Sequence, residues 1–142
     1  MSRLVEELDD EIFEEVLQEE PLLFVDFYAD WCGPCKAVAP VVDRAAKHYA
    51  GRIAFGKLNI DYSPATAARF GVKSIPTMIL FRDGKQASRM QGFIPDQKLR
   101  GHLDGYAPPE SEALEPAPAA GRGFLSRLFG KRSSDAEPSQ PG

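Results

Sequence analysis

The run Leu22-Leu23-Phe24-Val25-Asp26-Phe27-Tyr28 leads through Trp31 into Cys32-Gly33-Pro34-Cys35, and a helix-patterned stretch from Ala37 to Tyr49 follows. That order constrains the fold more than any other feature of the chain. A strand that feeds a C-x-x-C at the start of a helix is a redox arrangement. The first backbone N–H groups of a helix lack partners inside it and carry the positive end of its dipole, so a thiol placed there is stabilised as thiolate. The dipole supplies at most ~2 kcal/mol, and ~1.4 kcal/mol corresponds to one pH unit, so it lowers the thiol by roughly one unit. Further lowering has to come from hydrogen bonds to the sulfur within the first turn, with Lys36 nearby. Cys32 is the expected nucleophile, and Cys35, one turn deeper, is the thiol expected to resolve its intermediate.

Other uses of the two cysteines fit less well. Three positions apart, they close too small a loop to staple a fold. A closed zinc site wants four ligands, and the remaining candidates, His48 and His102, stand in no partner motif, so no metal is expected.

A chain of 142 residues with 43% hydrophobic content suits one compact domain with something appended. The net charge of −4 argues against a nucleic-acid partner, which calls for a basic face. Nine acids between Glu6 and Glu20 are balanced before Pro21 only by Arg3, and a solvated helix face is the expected setting for them. The start Met1-Ser2-Arg3-Leu4-Val5 has no basic segment leading into an apolar one, and no run approaches the ~18 apolar residues of a membrane span. A cytoplasmic location is therefore expected.

Along the chain, Ile12, Phe13, Val16 and Leu17 recur at helical spacing, with Asp9 or Asp10 as a cap and Pro21 as the stop. Leu22 to Ala29 reads as a central strand covered on both faces. Asp26 interrupts it, and a carboxylate buried there is costly when ionised, so its proton affinity should rise and make it a candidate proton carrier. The same letters fit an Asp pointing out of an exposed sheet edge. Val38, Val41, Val42, Ala45 and Ala46 give the next helix its apolar side, with Pro40 expected to kink it and Gly51 to end it. Ile53 to Ile60 reads as a strand parallel to the first, joined by a right-handed crossover. Pro64 to Phe70 is a short helix ending at Gly71. Met78 to Phe81, the Asp83-Gly84 turn and Gln86 to Gln91 form a hairpin. Leu99 and Leu103 mark a last helix from Pro95 to about Tyr106.

The string Trp31-Cys32-Gly33-Pro34-Cys35-Lys36 resembles the active-site signature of the thioredoxin family, and the likeness covers about Leu8 to Tyr106. It implies an α/β thioredoxin fold, a mixed sheet of four or five strands with helices on both faces, over residues 1–106. It implies that Asp26 is the buried Asp that accepts the proton of Cys35, and that Lys57 is its neighbouring lysine. Gly33 and Pro34 would tune the redox centre. Pro76 would be cis and face the cysteines, the backbone before it pairing with an extended substrate segment. Gly92 would lie near that groove, with Trp31, Ile75 and Pro76 as its apolar rim. The sequence departs from the common pattern at Tyr28, where many relatives have Trp, at Ser74, and at Phe93.

After Tyr106, residues 107–120 are rich in Pro, Ala and Glu and read as a linker. Residues 121–142 read as a mostly disordered tail, with a short basic amphipathic segment over 122–132 that sets Phe124, Leu125, Leu128 and Phe129 on one side. That segment suits weak contact with a membrane surface or docking in a protein groove.

The expected function is reduction of protein disulfides by the Cys32–Cys35 dithiol through a mixed disulfide, in a monomer with no bound cofactor. The resemblance implies re-reduction by a flavin-containing, NADPH-dependent thioredoxin reductase. Two alternatives stay open: an oxidase or isomerase of the same fold, and a binding module whose groove or tail holds a partner.

Overall fold

In the computed structural model, residues 4–112 are described. Four helices, α1 (Phe13–Glu19), α2 (Gly33–His48), α3 (Pro64–Arg69) and α4 (Asp96–Asp104), alternate with five strands, β1 (Val5–Leu8), β2 (Leu22–Tyr28), β3 (Ala54–Asn59), β4 (Thr77–Arg82) and β5 (Lys85–Gln91). The strands form one sheet in the order β1-β3-β2-β4-β5. β2 is thus the middle strand, parallel to β3 and antiparallel to β4, and its residues from Leu23 to Phe27 are all buried. A strand walled on both faces has no use for alternation, which explains its near-continuous apolar run.

Side chains alternate across the sheet, so β2 feeds two cores. Phe24 joins Phe55, Met78 and Leu80 beneath Val38, Val41, Val42 and Ala45 of α2 and Leu99 and Leu103 of α4. Leu23, Val25 and Phe27 join Leu58, Ile79 and Phe81 beneath Phe13, Val16 and Leu17 of α1. The fully buried Tyr49 ties the two helices of the first face together, its O–H donating to Arg100 O at 3.0 Å and to Asp104 Oδ1 at 2.5 Å. α2 runs through Pro40 at an exposed position. The Asp83-Gly84 turn has positive φ at both residues, 52° and 82°, the geometry that matches the twist of a two-residue hairpin.

Three expectations change. Glu6 and Glu7 do not stand on a helix face: they belong to β1, which pairs in parallel with β3 and seats Val5 and Leu8 in the two cores. The strand forms because β3 offers it a ladder, a partner about fifty residues away. The helical pattern then begins only at Phe13. Of the two candidate caps, Asp9 closes the turn that leads into α1, its Oδ1 accepting the N–H groups of Glu11 and Ile12 at 3.0 and 2.9 Å. Asp10 instead caps α3, accepting the N–H of Ala65 at 3.1 Å, and the N–H and Oγ1 hydroxyl of Thr66 at 2.8 and 2.7 Å. Finally, the first part of the stretch read as linker is engaged with the domain. Ala107 packs against the α2–α4 core, Arg52 donates to Pro108 O at 3.4 Å, and Glu110–Glu112 make a single 3-10 turn. The rest of that stretch, and the basic amphipathic segment with Phe124, Leu125, Leu128 and Phe129, lie outside the described residues.

Candidate active site

The C-terminal end of β2 delivers the chain to Cys32, whose N–H bonds to Ala29 O at 3.3 Å, and α2 begins at the next residue. Cys32 is the N-cap of α2. It has extended φ and ψ of −90° and 114°, and its sulfur accepts the N–H of Cys35 at 3.2 Å. This is the bond a Ser or Asp oxygen makes in an ordinary N-cap, with sulfur in its place. Gly33 and Pro34 fill the intervening first-turn positions, where a missing N–H costs the helix nothing. Cys32 and Cys35 are joined as a disulfide, with Cα atoms 5.3 Å apart.

The arrangement favours negative charge on Cys32 for two separate reasons. The helix N-terminus faces it, and a backbone N–H already points at its sulfur. In the disulfide both cysteines are 4% exposed, so depth does not separate the pair. Helix position does: Cys32 is outside the first turn and Cys35 within it.

The loop before β4 closes the site from the other side. The Ile75–Pro76 peptide is cis, as the resemblance implied, and Ile75 O lies 3.8 Å from Cys32 Sγ. The disulfide sulfur has no hydrogen to donate, so this is a packing contact. Ile75 packs with Ala29, Cys32 and Cys35 in a small apolar cluster. Gly92, at φ 81°, donates its N–H to Pro76 O at 2.8 Å, which ties the end of β5 to the same loop. Pro76 itself is buried, so it backs the expected rim instead of forming its surface. Trp31 is 68% exposed, with its indole N–H fixed to Asp61 Oδ2 at 2.9 Å, and Phe93 is 54% exposed. Ser74 O accepts the Thr77 hydroxyl at 2.5 Å, in the turn that leads into β4.

Asp26 is 4% exposed, so it does not point out of a sheet edge. It stands beside Lys57 across the β2–β3 ladder and beside Met78 across β2–β4. Burial pushes its carboxyl up to about 7, helped by the charges of Asp43 and Glu7 and opposed by Lys57. Its Oδ1 is buried with no hydrogen-bond partner among the described residues. A carboxyl that titrates near neutrality can both take and give a proton at physiological pH. Asp61 and Glu7 carried no sequence signal for the site. Glu7 becomes visible only once β1 is recognised, because the strand register then sets it next to Lys57.

Among the described residues, no group of three or more His, Cys, Asp or Glu is placed to hold a metal ion, and no helix is long and apolar enough to cross a membrane.

A five-stranded mixed sheet carrying a Cys-x-x-Cys disulfide at a helix N-terminus, opposite a cis-proline loop, defines a thiol–disulfide oxidoreductase. Residues 4–105 match the family model described as Thioredoxin. The chain is 43% identical over 93 residues to "Thioredoxin" of Synechocystis sp., covering 66% of this chain and 87% of that one. It is 41% identical over 106 residues to "Thioredoxin M-type, chloroplastic" of Spinacia oleracea, where the match spans 74% of this chain and 59% of the relative. With "Thioredoxin" of Alicyclobacillus acidocaldarius it shares 40% identity over 96 residues, 68% of this chain and 91% of that one. The chain belongs to the thioredoxin family.

Proposed function

We propose that the protein reduces disulfides in other proteins and passes two electrons per cycle through Cys32 and Cys35. The observation that carries this reading is the Cys35 N–H held on Cys32 Sγ at the first turn of α2. Once the pair is reduced, that donor and the helix end hold Cys32 as thiolate, the reactive form of the thiol. Its sulfur attacks one sulfur of a substrate disulfide, the S–S bond breaks, and the departing thiolate takes a proton. A mixed disulfide joins Cys32 to the substrate. Cys35 then gives its proton to Asp26 and attacks Cys32 Sγ, displacing the second substrate sulfur as thiolate and re-forming the Cys32–Cys35 disulfide. The substrate gains two electrons from the dithiol and two protons, one from solvent at the first step and one that Asp26 passes on from Cys35 at the second.

Trp31 and Ile75 are the apolar contacts available to a substrate segment lying along the cis-proline loop, and Gly92 braces that loop. Pairing with backbone there would bind extended segments with little regard to their side chains. A flavin-containing, NADPH-dependent thioredoxin reductase is the proposed electron donor, and a monomer in a reducing cytoplasm is the proposed setting.

The test is trapping. Replacing Cys35 by Ser removes the resolving thiol, so reduced C35S incubated with a disulfide protein such as insulin should accumulate a covalent adduct on Cys32 that dithiothreitol releases. Wild type should leave none and should precipitate insulin through reduction. Absence of any adduct while Cys32 remains alkylatable would refute the reading.

A further inference from the structure

Glu7, Lys57 and Asp26 form one row across three adjacent strands, since Glu7 pairs with Lys57 in the β1–β3 register and Lys57 with Asp26 in the β3–β2 register. Partners in register project from the same face of a sheet. One ammonium therefore stands between two carboxylates. Its ion pair is a loose one with the outer carboxylate, Lys57 Nζ lying 3.9 Å from Glu7 Oε1, and the ammonium stands 5.5 Å from the centre of the Tyr28 ring. Glu7 is in turn gripped by Tyr28, whose O–H points at both carboxylate oxygens, 3.0 and 2.9 Å away. Burial and this bond push the Tyr28 hydroxyl above its ordinary range, so it stays a donor throughout physiological pH. Asp26 Oδ1, by contrast, has no hydrogen-bond partner among the described residues.

We propose that the Tyr28–Glu7 pair is a positioning device that holds the Lys57 ammonium toward β1 and thereby sets how readily Asp26 takes up a proton. The inference rests on the reading of Asp26 as the proton acceptor for Cys35. Glu7 works in two ways of the same sign: its own charge opposes ionisation of Asp26, and its hold on Lys57 withholds the cation that would favour it. The grip is the work of the Tyr28 hydroxyl, and a Phe ring at this position would have none. The charged groups that bear on Asp26 are Lys57 from β3, Glu7 from β1 and Asp43 from α2. From β4 its register partner is the uncharged Met78. Glu7 itself is faced by Tyr28, Lys57, Asp30 and Asp9.

The experiment follows the Asp26 side-chain carboxyl by carbon-13 NMR across pH in the oxidised full-length protein. Wild type is compared with Glu7→Gln, Tyr28→Phe, Lys57→Met and the Glu7→Gln, Lys57→Met double variant. Glu7→Gln keeps an oxygen for the Tyr28 hydroxyl and removes only the charge. It should lower the Asp26 midpoint by about half a unit or more, roughly a threefold loss of proton affinity. Tyr28→Phe, which keeps the ring and loses the grip, should shift it the same way by less. In the Lys57→Met background the Glu7→Gln shift should shrink to under half. A midpoint that stays put or rises in Glu7→Gln would overturn the proposal, as would a shift undiminished without Lys57, since Glu7 would then act by its charge alone. The titration reads Asp26 directly and not turnover. Its failure would leave the disulfide chemistry standing, whereas a failure to trap substrate on Cys32 would leave the titration standing.

Discussion

Replacing Asp26 by Asn should make the protein more stable above neutral pH and erase most of the pH dependence of its stability. The unfolded carboxyl titrates near its ordinary value of 3.8, and burial raises it to about 7 in the folded protein. A group raised on folding contributes stability that is whole below the unfolded value and is lost as pH climbs through the folded one. Between those limits the unfolded chain ionises Asp26 while the native fold keeps it protonated, so stability falls by ~1.4 kcal/mol per pH unit. Over the roughly three units separating the two values, the total is about 4 kcal/mol, a large part of the 5–15 kcal/mol that holds a typical domain together. Asn has nearly the same shape and never ionises. Denaturant unfolding of the oxidised protein between pH 4 and pH 9 should show wild type and D26N close together at the acid end and diverging to about 4 kcal/mol at the alkaline end. Parallel curves would mean that Asp26 is solvated or tightly paired in the native state, and the buried proton carrier would have to be abandoned.

Two further substitutions probe how β1 and α3 are attached. A Cβ at Gly56 would sit 2.7 Å from Leu8 Cδ1 and 3.3 Å from Glu6 O, and Leu8 is 2% exposed with little room to yield. Gly56→Ala should therefore cost about 1–3 kcal/mol in denaturant unfolding by forcing β1 off β3, and a neutral effect would show that the two strands are not held this closely. Asp10→Ala removes the acceptor of both N–H groups at the first turn of α3 and should cost about 1–2 kcal/mol, with faster amide exchange at Ala65 and Thr66. Unchanged exchange at those two amides would contradict the cap.

The redox centre was legible because its physics is local. A C-x-x-C between an apolar strand and an amphipathic helix places a thiol at a helix N-terminus whatever the rest of the chain does. The central position of β2 could be read from its apolar run, whereas the carboxylate that interrupts it fitted both burial and an exposed edge until the sheet order placed it inside. β1 could not. Val5-Glu6-Glu7-Leu8 has its buried residues three apart, a spacing that fits a helix, and an acidic run follows it; only the ladder offered by β3 makes it a strand. The reassignment of Asp10 has the same origin, since the helix it caps begins more than fifty residues later. The cis Ile75–Pro76 bond is a minority state for any X–Pro pair, and only the family likeness pointed to it. Glu7, next to Lys57, followed the fate of β1. What was missed is therefore what depends on contacts between stretches far apart in the chain, strand ladders and side-chain bonds alike.

The claim on which the rest depends is that Cys32 ionises more readily than an ordinary thiol, so that a substantial fraction is thiolate at neutral pH once the disulfide is opened. Its most direct measure is the pH dependence of Cys32 alkylation by iodoacetamide in the reduced protein, with the modified site read by mass spectrometry. The helix end and the Cys35 N–H predict a midpoint at least about one unit below the ordinary thiol value of ~8.5, with Cys32 modified well ahead of Cys35 at pH 7. A Cys32 that titrates at or above that ordinary value, or that is modified no faster than Cys35, would contradict the account.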